Sequence, residues 1–262
     1  MSTPASASPG VIVTRPEREA GPWAQALQAE GVRAEVFPLI EIAALPDASG
    51  LQLAWAQVPA CQAVMFVSAN AVRFFMAARP QGQALADCRA WSTGPGTQAA
   101  LLACGWPAGQ IDSPAADAAQ LDSEALWAQV AAQVPPGGQV LIVRGADAQG
   151  QLAGRDWLAQ QLVDAGVQVH QAVAYVRRAP ALCPVQQQRA VQAMTDGSLW
   201  LFSSSEAAQH LLQACPGLAV RHARALATHP RIAQRLVQAG WGRVDQVPAG
   251  LGAQAVSIKS LP

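Results

Sequence analysis

Charge is scarce in this chain: 13% of its 262 residues are Asp, Glu, Lys or Arg, and seventeen basic residues balance seventeen acidic ones. Without net charge there is no global field to gather nucleic acid or an anionic membrane, so a charged ligand has to be held by local groups. The five cysteines, Cys61, Cys88, Cys104, Cys183 and Cys215, are odd in number, scattered and free of any CxxC pair, which argues against a disulfide framework. The four histidines, His170, His210, His222 and His229, show neither HExxH spacing nor a cysteine partner, so no metal centre is expected. No apolar run approaches the roughly 18 residues of a membrane span, and the opening MSTPASASPG lacks the basic and apolar segments of a secretory signal. These absences lead to the expectation of a reduced, cytoplasmic protein with a disordered N-terminal tail. Nucleophile-elbow, Walker and EF-hand patterns are missing too.

What the chain does have is apolar mass and repetition. Hydrophobic residues make up 51% of it, enough for real cores, and the length suits two lobes. VIVTRP at 11 to 16 and LIVRG at 141 to 145 each lead into a helical stretch, ending at Gly31 and Gly166. VMFVSANAV resembles LWLFSSSEAA, matching Ser68 to Ser204, and STGPGTQAALLACGW resembles ATHPRIAQRLVQAGW, matching Pro95 to Pro230 and Gly105 to Gly240. One spacing of about 135 residues relates all four anchors, as expected for a unit used twice. Within each copy, short runs of Val, Ile, Leu and Phe alternate with stretches of helical periodicity, which predicts parallel strands with crossover helices and an α/β fold. Ser68 or Asn70, Thr93 or Thr97, and Ser204 or Ser205 are candidate helix caps, and Gly31, Gly105, Gly166 and Gly240 stand where helices should stop. Two segments, VFPLIEI at 36 to 42 and QAVAYVRR at 171 to 178, read either as strands linking the lobes or as ordinary strands within one.

In open parallel sheets, ligands bind beyond the carboxyl ends of the strands, where loops enter helix N-termini. Those junctions are Thr14-Arg15-Pro16, Ser68-Ala69-Asn70, Gly94-Pro95-Gly96-Thr97, Arg144-Gly145, Ser204-Ser205 and His229-Pro230-Arg231. Backbone N–H groups and helix dipoles there could hold an anion without a basic surface, although each Ser, Thr or Asn could equally be only a cap. Arg15 and Arg144 occupy equivalent junctions of the two copies, where an arginine can meet a carboxylate or simply face solvent. Gly94-Pro95-Gly96-Thr97-Gln98-Ala99, with Asp112 farther on, fits a dinucleotide fingerprint. It falls at the third strand-to-helix junction of its lobe, and its repeat partner, His229-Pro230-Arg231-Ile232, has no glycine.

The order of TRP, Phe37-Pro38-Leu39, FVSANAV, STGPGT, LIVRG, Gly154-Arg155, VAYVRR, FSSSEA and a late helix ending in Ala-Gly resembles the uroporphyrinogen-III synthase family, from about Val11 to Val247. The resemblance implies two parallel-sheet α/β lobes, the chain crossing from the first to the second and back. Lobe one would hold 1 to 36 and 178 to 262, lobe two 46 to 167, with linker strands at 37 to 45 and 168 to 177. It implies cyclisation of the linear tetrapyrrole hydroxymethylbilane to uroporphyrinogen III, with loss of water and inversion of the last ring, by a monomer using no metal or organic cofactor. The family's positions in the cleft between the lobes fall on Arg15, Ser68, Asn70, Thr97, Arg144, Arg155, Tyr175, Ser204 and Pro230, with Tyr175, the only tyrosine, as candidate proton donor. Where the family often reads Gly-Pro-Thr-Thr, this chain has His229-Pro230-Arg231-Ile232, leaving that threonine's contact to His229 or Arg231. Two readings compete with this one. A two-lobed solute-binding protein would share the duplicated architecture, and an oxidoreductase would use the GPGTQA turn.

Overall fold

The computed structural model of the chain describes residues 10–83, 85, 88–114, 123–152 and 156–261. The first copy of the repeat gives β1 (Val11–Val13), α1 (Glu17–Ala29), β2 (Ala34–Val36), β3 (Glu41–Ala44), α2 (Ser49–Gln57), β4 (Ala63–Phe66), α3 (Ala69–Ala77), β5 (Arg89–Ser92), α4 (Pro95–Ala103), β6 (Ile111–Asp112) and α5 (Ser123–Val130). The second gives β7 (Gln139–Ala146), α6 (Trp157–Asp164), β8 (Gln168–Arg178), α7 (Pro184–Gln192), β9 (Leu199–Phe202), α8 (Ser205–Ala214), β10 (Arg224–Ala227), α9 (Pro230–Gln238), β11 (Arg243–Gln246) and α10 (Leu251–Lys259).

The chain divides into two units, residues 1–41 with 178–262, and residues 42–177. The sheet of the first unit runs β11-β10-β9-β1-β2, all parallel. The other sheet runs β3-β8-β7-β4-β5-β6, parallel from β8 through β6. Read from β6, its first five strands follow the same plan as the first sheet. In each, three strands from the late part of one copy meet two from the early part of the other.

Of the two extended segments, QAVAYVRR lies wholly within β8, whereas residues 37 to 40 belong to no strand and only Glu41 and Ile42 of VFPLIEI enter β3. β3 and β8 are neighbours in a sheet, and β8 pairs along β7 from Gln168 to Val176. The unit boundaries also fall inside them, after Glu41 and before Arg178, whose side chains form an ion pair.

Strands covered on both faces need no polar alternation, hence β4 and β9 are buried at every position. In unit one, Val11, Val13, Leu199, Leu201 and Leu226 pack with Ala20, Ala24 and Leu27 of α1 and Ala255 and Ile258 of α10. Trp200, Phe202 and Trp241 form a separate aromatic group beside Phe37. In unit two, Val64, Phe66, Leu141 and Val143 share a core with Phe75 of α3 and Leu101 of α4. Ala63, Met65, Val140 and Ile142 point to a second core with α5 and α6.

The four glycines expected to end helices have φ between +77° and +85°, the left-handed conformation that favours glycine. One capping expectation needs correction. Neither Thr93 nor Thr97 caps α4; Gly94 stands at its N-cap without a side-chain bond. Pro95 follows, and a proline at the first helical position brings no N–H that a cap would have to satisfy.

Candidate functional site

Because neighbouring strands run parallel, their carboxyl ends gather along one edge of each sheet. In unit two that edge carries Tyr175 of β8, Arg144 and Gly145 of β7, Ser68 after β4 and Gly94 to Thr97 after β5, in the spatial order of the strands. Ser68 is the N-cap of α3, its Oγ accepting from the Ala71 N–H at 3.1 Å. The same Oγ lies 3.1 Å from the Tyr175 hydroxyl. Two residues 107 positions apart, both among the positions the resemblance implies, therefore form one hydrogen-bonded pair.

A break in register delivers the tyrosine there. Along β7 and β8, Arg144 is opposite Val173, but Gly145 is opposite Tyr175, so Ala174 is passed over. Strict alternation from Val169, which packs against the α5–α6 core, would send position 175 to that same face. The bulge instead sets Tyr175 in the same core as Ala172 and Ala174, with its ring stacked on Phe74 of α3 at 5.8 Å between centroids. The ring is buried, 4% of the residue being exposed. Packing is thus part of its role.

Other expected residues at this edge are already engaged. Asn70 is buried, and its Oδ1 accepts from Arg73 Nη1 at 3.0 Å. Thr97 is buried in the first turn of α4. Arg144 differs most from the expectation of an open substrate contact: its side chain is 3% exposed, paired with Asp156 and donating to Gln171 Oε1 at 3.0 Å. Asp156 is the N-cap residue of α6, so the guanidinium ties β7 to α6 and to β8. Gly154 and Arg155 lie outside the described residues.

Unit one presents a simpler edge, with Arg15 after β1, Ser204 after β9 and His229-Pro230 after β10. The Arg15 guanidinium sits 3.8 Å from the Trp23 ring centre and 3.6 Å from a Glu19 carboxylate oxygen. Burial lowers its pKa, with Glu19 acting in the opposite sense. Trp23 in turn donates through Nε1 to Gln254 Oε1 of α10 at 2.8 Å. Ser204 caps α8, accepting from the Glu206 N–H at 3.2 Å. Where the family threonine is absent, the His229 ring caps α9, its Nδ1 accepting from the Arg231 N–H at 3.1 Å, and the Arg231 residue is exposed.

The dinucleotide reading loses its acid. Asp112 is clamped by Arg89 through bonds of 2.6 and 2.7 Å and receives a third from Gln133 at 3.2 Å. A carboxylate held by an arginine fork is poorly placed to accept from ribose hydroxyls. Among the described residues, no group of three or more His, Cys, Asp or Glu side chains could hold a metal ion, and no helix is long and apolar enough to cross a membrane.

The family model described as uroporphyrinogen-III synthase HemD matches residues 21–250. The chain belongs to the uroporphyrinogen-III synthase family. Among solved structures it is similar to a mutant uroporphyrinogen III synthase from the extremely thermophilic bacterium Thermus thermophilus, at 16% identity and a TM-score of 0.57, over 97% of this chain and 98% of that one. It is also similar to the uroporphyrinogen-III synthetase of Helicobacter pylori, at 17% identity and a TM-score of 0.57, over 87% and 93%. At such identities these likenesses speak for the synthase fold. No curated protein matches the chain.

Nothing local in the sequence marks Trp23, Gln254, Asp156 or Gln171 as partners of the two arginines. Gly145 had a signal that could have been used: a glycine inside an apolar strand often marks close approach of another group to the backbone.

Proposed function

We propose that this chain closes hydroxymethylbilane to uroporphyrinogen III, losing one water and inverting the last pyrrole ring. The observation that carries this reading is the family match over residues 21–250. The geometry supports it: a substrate with eight carboxylates suits strand ends rich in backbone donors, and each unit offers such an edge at the N-termini of α3 and α4 or of α8 and α9. Arg15 is the side-chain partner for one carboxylate, held in place by Trp23. Ser68, Ser204, Thr97 and Pro230 mark the helix starts that serve the others. Arg144 acts as a strut that fixes the ends of β7 and β8.

Tyr175 is the proton donor. The bond between the hydroxymethyl carbon and its oxygen breaks as the phenol protonates the departing hydroxide, giving water. The substituted α-carbon of the last ring bonds to the carbon so freed. Its bond to the neighbouring bridge carbon then breaks and re-forms at the ring's other α-carbon, which inverts the ring. The proton lost from that second carbon returns to the phenolate, so none is gained or lost overall. Placing a donor of this kind is worth on the order of a hundredfold. The reaction is carried by one soluble chain acting in the cytoplasm.

The test is to supply hydroxymethylbilane to the purified protein with chelator present and identify the uroporphyrinogen isomer. Excess type III over the spontaneously formed type I is expected. Only type I, or type III formation that disappears with chelator and returns with zinc or magnesium, would refute the proposal.

A further inference from the structure

The geometry points to Gly145 as a positioning residue for the reaction: by having no side chain it lets the Tyr175 phenol lie against β7 and reach Ser68. A Cβ built on Gly145 would stand 2.6 Å from Tyr175 Cζ, 2.7 Å from Cε2 and 2.9 Å from the phenol oxygen, all inside any ordinary carbon contact. Gly145 does not adopt the left-handed backbone that would call for glycine on its own account. What the position requires is therefore space.

The three atoms named are at the hydroxyl end of the ring, so a methyl group at 145 would push the oxygen itself. The ring has little freedom to yield elsewhere. Phe74 stacks on it, and the core that holds it includes Ala172 and Ala174 on its own strand. The register break falls at this same point, between Arg144 and Gly145. The bulge turns residue 175 towards α3, and the bare backbone of Gly145 leaves room for the phenol once it has turned. Ser68 then fixes the hydroxyl at 3.1 Å while its second contact, from the Ala71 N–H, anchors the serine to α3.

This inference rests on the reading of Tyr175 as proton donor, and the experiment separates the two. Tyr175 is the only tyrosine, so protein labelled with carbon-13 at the tyrosine ζ position gives a single phenol resonance. Gly145→Ala is expected to shift that resonance and to lower kcat about tenfold with KM little changed, the pattern of an interaction made mainly in the transition state. In a Tyr175→Phe background the same substitution should cost no further turnover. An unmoved resonance with wild-type turnover in Gly145→Ala overturns the inference alone, as does an equal loss in both backgrounds. Wild-type turnover in Tyr175→Phe overturns the donor reading and this inference with it. If Gly145→Ala does not fold, Gly145→Ala with Tyr175→Ala decides: a folded double variant supports crowding by the phenol, and an unfolded one overturns it.

Discussion

Replacing Trp23 with Phe tests whether Arg15 is held from behind by the last described helix. Phenylalanine keeps a ring beneath the guanidinium but removes the Nε1 donor that reaches Gln254 Oε1 at 2.8 Å. Gln254 has no exposed surface, so water cannot easily replace that donor. An orphaned buried acceptor costs about 1–3 kcal/mol, and weaker stacking under the arginine adds on the order of 0.5 kcal/mol. The expected loss for Trp23→Phe is therefore about 2 kcal/mol, read by urea denaturation followed through secondary structure. Gln254→Leu should cost a similar amount, since it also removes the bond from Nε2 to the Pro248 carbonyl at 2.9 Å. Pro248 is exposed, so that carbonyl can be rehydrated. With both partners gone no buried group is orphaned, and the double variant should lose at least about 1 kcal/mol less than the two single losses together. A freed Arg15 should raise KM several-fold while kcat holds. Strict additivity, or a Trp23→Phe protein within about 0.3 kcal/mol of wild type, would show that the chain of contacts does not act as a unit.

Further outcomes follow from the same structure. Tyr175→Phe should retain the fold, losing roughly 1 kcal/mol for one hydrogen bond, and turn over at least about tenfold more slowly; wild-type turnover would leave the ring a packing role only. Asp156→Ala removes the carboxylate paired with the enclosed Arg144, but because the Asp156 side chain is 65% exposed, water fills part of its place. The expected cost is about 1–2 kcal/mol by denaturant titration, below the value for a fully buried pair, and none at all would deny the strut. Burial pushes the Asp196 carboxyl up, yet hydrogen bonds from Ser198 and the charge of Arg189 outweigh it and leave the pKa lowered. That contribution is full above the ordinary carboxylate pKa of about 4 and is lost as pH falls through the lower folded value. Melting curves from pH 5 down to pH 2 should accordingly fall less steeply for Asp196→Asn than for wild type; parallel slopes would refute the assignment.

Much of the fold could be read from the sequence because the evidence for it is local. Uninterrupted apolar runs such as VMF and LWLF mark strands buried on both faces, and Ser68 and Ser204 sit at helix starts in both copies. The side on which Tyr175 lies was not legible, since a period of two assigns it to the wrong face and a bulge is a property of two paired strands. The partners of Arg144 were hidden for a related reason. Gln171 is on the next strand and Asp156 beyond a loop, so their approach follows from strand pairing. The GPGTQA turn misled in the opposite direction: its local pattern suits a nucleotide, but the acid it needs is spent on Arg89, a contact set by the pairing of β5 with β6.

The exchange of strands between copies explains why equivalent motifs need not do equivalent work. Each strand-end edge is composite: Arg15 comes from the first copy and its neighbours Ser204 and Pro230 from the second, whereas Ser68 and Thr97 come from the first and Arg144 and Tyr175 from the second. The repeat places an arginine, a serine cap and a proline helix start at matching points of both edges. The matching arginines have nonetheless diverged, Arg15 onto the face of Trp23 beside Glu19 and Arg144 into an enclosed pair with Asp156. Tyr175 has no counterpart, because the equivalent stretch of the first copy reads Leu39-Ile40, both buried and apolar. A phenol that can deliver a proton thus exists at one edge alone. Duplication accounts for two strand-end edges of one plan, and a bulge with one tyrosine and one bare glycine distinguishes the second, so that on the proposed function the proton donor belongs to that unit.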